Sequence, residues 1–134
     1  MKLLNTLLFV LAITALSFAQ TIGDVGARKL DYQVDARTIA DNGGGTAATL
    51  TLTPTGSFVE LTCNDANGCT ITMGETGIPD GMILHIVGLT TNTPTFADTS
   101  GVSELTAAFT MGQYDTLTLM YASDRWVELA RANN

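Results

Sequence analysis

Positive charge is scarce in this 134-residue chain: six Lys and Arg stand against thirteen Asp and Glu, for a net charge of −7. The bases Arg28, Lys29, Arg37, Arg125 and Arg131 are scattered. Nucleic acid and anionic membranes attract proteins through clustered Lys or Arg, so neither is an expected partner. Histidine is almost missing. His85 is the only one, between Leu84 and Ile86, with no His, Cys or carboxylate at metal-ligand spacing. A zinc site is not legible, and a structural or interface role for His85 is favoured. No Gly-x-Ser-x-Gly occurs, and Gly43-Gly44-Gly45 lacks the Lys-Ser/Thr of a phosphate loop. The run from Asn64 to Gly68 resembles an acidic calcium loop only superficially. Counted from Asp65, Cys69 and Thr76 fall where oxygen ligands are required, and a tight turn is the better reading. Asp31 and Asp35 share a strand face with Gln33 between them, which reads as a solvated face rather than a catalytic pair. No catalytic residue, cofactor or metal is therefore expected.

Long apolar runs are also missing, except at the start. Lys2 precedes Leu3, Leu4, Leu7, Leu8, Phe9, Val10, Leu11, Ala12 and Ile13, and Ser17-Phe18-Ala19 comes next. A charge, an apolar stretch and small residues around a cleavage point make residues 1–19 a secretory signal. The stretch is roughly 15 residues, short of the ~20 that span a bilayer, which disfavours the alternative of an uncleaved anchor. The expected location is secreted, extracellular or cell-surface, with the periplasm also open and no stable membrane span after cleavage. The remainder is the size of one domain: an N-terminal extended segment and Gly-rich loop over 20–45, then an all-β domain over 46–134. In an exported chain the only two cysteines, Cys63 and Cys69, are expected to form a disulfide.

Threonine alternates with apolar residues in short runs, a strand pattern, and no amphipathic helix is legible after the signal. A first strand is expected over 30–40, with Leu30, Tyr32, Val34 and Ala36 on its apolar face. Residues 57–63 and 69–74 read as a hairpin. If Cys63 faces Cys69, then Leu61 faces Ile71 and Val59 faces Met73, with all six residues on one side. One register thus satisfies both the apolar face and the cysteine pair. Residues 82–89 are apolar on both faces, as expected of a central strand covered on both sides. A final hairpin places Tyr121 opposite Trp126, Met120 opposite Val127, Leu119 opposite Glu128 and Thr118 opposite Leu129. Apolar residues on both faces here point to the core on one side and a partner subunit on the other. Short strands without helices point to a sandwich, barrel or β-solenoid-like fold. With no regular internal repeat, a small antiparallel sandwich or barrel-like domain is the expectation.

The C-terminal half resembles an all-β module of bacteriophage fibre and virion-surface proteins and related uncharacterised secreted proteins. The resemblance lies in Asp80-Gly81-Met82-Ile83-Leu84-His85-Ile86-Val87-Gly88, Phe96-Ala97-Asp98 and Phe109-Thr110-Met111-Gly112. It continues through Asp115-Thr116-Leu117-Thr118-Leu119-Met120-Tyr121 and from Trp126 to Asn134, covering residues 80–134. It implies a non-enzymatic subunit, often trimeric, that builds or decorates a fibre. Phage fibres assemble in a reducing cytoplasm, so the signal and the disulfide set a cell-encoded surface subunit against a virion protein. The leading expectation is an exported structural or adhesive β-protein acting by self-association through the surfaces around 82–89 and 116–131. The alternative is a monomeric module for a cell-surface glycan or receptor. Trp126, Tyr121 and His85 are the candidate interface or ligand contacts.

Overall fold

The computed structural model describes residues 34–134, within a compact unit that begins at Tyr32. The expected signal over 1–19 lies outside the described residues, as do Asp31 and the start of the strand expected over 30–40. Within the expected N-terminal segment over 20–45, the strand Val34–Ile39 pairs with Phe58–Cys63.

Ten strands make up the described fold. They are β1 (Val34–Ile39), β2 (Ala48–Leu52), β3 (Phe58–Cys63), β4 (Cys69–Met73), β5 (Ile83–Gly88), β6 (Pro94–Phe96), β7 (Ser103–Glu104), β8 (Phe109–Thr110), β9 (Thr116–Tyr121) and β10 (Trp126–Ala132). Through β6 they are dealt alternately into two sheets. The six-stranded sheet has the order β1-β3-β5-β9-β10-β7, the four-stranded sheet β2-β4-β6-β8. β1, β3 and β5 run parallel, as do β2, β4 and β6. Val34 pairs with Phe58 and Phe58 with His85, so a coil advances by about 25 residues, within the range of solenoid repeats. The all-β expectation holds. The antiparallel sandwich or barrel does not: the first six strands wind as three coils of a short β-solenoid. Its repeat is invisible in one dimension because the loops between coils differ in length.

The hairpin expected between β3 and β4 is the main correction. The two strands lie in different sheets and pair with other coils, Cys63 with Ile39 and Cys69 with Ala48 and Pro94. Yet Val59, Leu61, Cys63, Cys69, Ile71 and Met73 are all buried, on one side of the chain as expected. They face the core between the sheets. Alternation alone cannot separate a hairpin from an arch whose two arms both point inward. The disulfide between Cys63 and Cys69 spans that arch with the Cα atoms 6.0 Å apart, and no cysteine is free among the described residues.

The winding stops at the C-terminal end. β9 lies antiparallel to β5, β10 to β9 and β8 to β6. The β9–β10 turn carries positive φ at Ser123 and Asp124, the mirror-image turn that suits the twist of a tight hairpin. Its register matches the expectation from Tyr121–Trp126 to Leu119–Glu128. A bulge at Leu129 then shifts the register, so Thr118 pairs with Ala130. Leu129 is half exposed as a result.

Two faces differ from expectation. In β1 the inward positions are Asp35, Arg37 and Ile39, while Val34 and Ala36 point to solvent. Hydrophobicity favours the apolar pair inside, but Ile39 and the parallel register with β3 fix the opposite phase. β5 is not covered on both sides: Leu84 and Ile86 are buried, and Ile83 and His85 are exposed.

Candidate functional site

The three residues expected as contacts are separated by the fold. Trp126 is fully buried and Tyr121 nearly so; their rings lie 5.2 Å apart at 59°. Trp126 Nε1 donates to the Gly74 carbonyl at 3.0 Å, satisfying the one polar atom of the indole. Neither ring offers a face to a ligand. Burial, with help from Glu75, Asp124 and Asp80, pushes the Tyr121 phenol up. His85 stands apart from them on the outer face of the six-stranded sheet, its Nδ1 3.2 Å from Thr118 Oγ1.

That outer face is the best-developed surface of the larger sheet. Register places Val34, Phe58, His85, Thr118 and Ala130 in one row. A second row runs Ala36, Glu60, Val87, Thr116 and Ala132. Ile83, Met120 and Val127 form a third. Apolar side chains dominate, and Val34 (49%) and Ile83 (44%) are among the most exposed large apolar residues described. A shallow depression of about 320 Å³ opens between Phe58, His85, Val87, Thr116 and Thr118. Glu60 is the only acid in the first two rows. The surface is chemically suited to dry contact with another apolar face rather than to proton transfer.

The polar clusters serve the scaffold. Asp35, expected on a solvated face, is buried: Arg37 Nη2 donates to its Oδ2 at 2.9 Å, as do the Thr55 amide and hydroxyl at 3.0 Å each. Burial opposes ionisation, but the Arg37 and Thr55 bonds outweigh it and hold the Asp35 carboxyl below the usual carboxylate range. Asp65 is buried in the turn between β3 and β4 and accepts from the Asn67 amide at 2.8 Å, which lowers its pKa. The turn is therefore an Asx-braced arch with Gly68 at positive φ. Arg131 lies 4.7 Å over the Phe109 ring and its Nε donates to Glu128 at 2.6 Å. Among the described residues no group of three or more His, Cys, Asp or Glu could hold a metal, and no helix is long and apolar enough to cross a membrane.

The outer face of the four-stranded sheet is a second surface, one that sequence reasoning missed. Every outward position of its strands is threonine: Thr49 and Thr51 on β2, Thr70 and Thr72 on β4, Thr95 on β6 and Thr110 on β8. The signal in the sequence is Thr-x-Thr at 49–51 and again at 70–72, which by itself expresses no more than strand propensity. Compared with protein-family models, with curated proteins and with solved structures, the chain matches none.

Proposed function

We propose that this chain is an exported, non-enzymatic structural or adhesive β-protein that works by self-association. The observation that carries the reading is the outer face of the six-stranded sheet, where Val34, Phe58, Ile83, Val87 and Met120 make an apolar surface out of strands that already bury their other side. Contiguous exposed apolar area of this kind marks a contact surface. Five strands of six or seven residues, β1, β3, β5, β9 and β10, at ~4.8 Å spacing offer several hundred Å², the order that one partner contributes to a standard interface. The occupant is a further copy of the chain, and the fibre resemblance of residues 80–134 makes a trimer the expected assembly. Export rests on the sequence of residues 1–19 and accords with the Cys63–Cys69 bond.

Light scattering on the exported protein tests this. The expected result is a species larger than a monomer, reduced to monomer by Ile83→Lys with Val87→Lys while the β-sheet circular dichroism is kept. A clean monomer at micromolar concentration would overturn it.

A further inference from the structure

The register of the four-stranded sheet places its outward threonines on a two-dimensional grid. Thr49 pairs with Thr70, Thr70 with Thr95 and Thr95 with Thr110, so one row of four crosses the whole sheet. Thr51 and Thr72 pair in the next row. Within β2 and β4, threonines recur at every second residue, separated by the inward Leu50–Ile71 pair. The grid therefore repeats at ~4.8 Å across strands and roughly 6.7 Å along them. No outward ladder position carries a charge or a long side chain. Thr49, Thr51, Thr70, Thr72 and Thr110 are exposed.

Threonine suits such a grid for a physical reason. Its β-branched side chain is stiff at χ1, so methyl and hydroxyl positions copy the backbone repeat with little scatter. Thr95 and Thr110 hydroxyls meet at 3.1 Å, tying the last two strands of the row together. The Cys63–Cys69 bond holds the start of β4, next to Thr70, to the opposite sheet. A protein ligand would be recognised by varied pockets and charges, and an ionic ligand by counter-charges. A uniform, neutral array of hydroxyls and methyls in register instead matches a partner that is itself periodic and able to donate and accept hydrogen bonds everywhere. Water ordered over methyl groups keeps its hydrogen bonds with neighbouring water, while the hydroxyls enter the same network. The prism faces of hexagonal ice repeat their oxygens at nearly the same two distances as the grid. We infer that the threonine face of the four-stranded sheet binds the surface of ice. This inference does not rest on self-association, which uses the opposite face. An assembly formed through the six-stranded sheet would leave the threonine faces outward and multiply them.

The test is uptake of the exported protein into a slowly grown ice hemisphere, together with inhibition of ice recrystallisation. The expected result is enrichment in the ice fraction and finer crystals than in buffer. Thr70→Tyr with Thr72→Tyr, which breaks the threonine grid on exposed positions, should return both readouts to the buffer baseline with circular dichroism unchanged. Thr76→Tyr, on an exposed turn, should leave them at the wild-type level. Exclusion of the wild-type protein from ice overturns the inference, even if it oligomerises. So does a folded Thr70→Tyr, Thr72→Tyr variant that still enters ice, or retention on crystalline chitin or cellulose without uptake into ice.

Discussion

Asp35 and Arg37 are the most unusual residues of the described core, since charges seldom face inward without full pairing. Here the carboxylate receives Arg37 and two donors from Thr55, and Arg37 also donates to the Thr53 carbonyl at 3.3 Å. The pair sits on β1, an edge strand among the described elements. Inward-pointing charge is one of the ways an edge is kept from pairing indiscriminately. The Asp35 carboxyl is held below its ordinary value, so it binds protons less readily in the folded chain than in the unfolded one. Its contribution is fully present above about pH 4 and is lost as pH falls through the lower folded value. Glu128, held down by Arg131, adds in the same direction. Urea midpoints should thus be flat from neutrality to about pH 5 and then fall, with a shallower fall in Asp35→Asn. An equally steep fall in that variant would mean other carboxylates govern acid stability.

Among the elements, the β3–β4 arch has the most to lose. Its disulfide closes a short segment, Cys63 and Cys69 being 6 apart in sequence, and the Asx-braced turn orders the same residues. Loop-closure entropy for so short a segment gives a stabilisation of about 2 kcal/mol. Reduction, or Cys63→Ala with Cys69→Ala, should lower the unfolding free energy by that order, measured by denaturant titration with and without reductant. No change on reduction would show that the turn alone defines the arch. Close packing constrains other joints. A Cβ at Gly88 would lie 2.6 Å from the Gly112 carbonyl, and one at Gly74 would collide with Thr53 Oγ1. Both glycines lie at strand ends where a neighbouring chain segment crosses closely, so they are set by approach and not by turn geometry.

At the scale of the molecule, coil stacking makes the two ends unequal. The C-terminal end is covered by β8, β9 and β10 in antiparallel array, while β1 and β2 are edge strands of their sheets among the described elements. The first coil also contributes charge to the interior, where the second contributes Val59, Leu61, Ile71 and Met73. Stability should therefore rise along the stack. Hydrogen exchange should find β1 and β2 amides least protected and β5 and β9 amides near the global limit. Uniform protection through all ten strands would argue that the molecule opens only as a whole.

The alternation of apolar residues in β3, β4 and β9, the Cys63–Cys69 bond and the first three pairs of the last hairpin were legible in sequence. Each depends on neighbours a few residues apart, and the cysteine pair and the inward faces are the same whether β3 and β4 form a hairpin or an arch. Partner choice was not legible. Whether Leu61 packs beside Ile71 in one sheet or across from it in another is decided by strands one coil away, and period-two patterning is the same in both cases. The same holds for β1, whose apolar Val34 and Ala36 lost the inside to Asp35 and Arg37 once the parallel register with β3 was set. The threonine grid is the fullest case. Its repeats were written in Thr-Leu-Thr and Thr-Ile-Thr, but only stacking of successive coils turned separate strands into one surface.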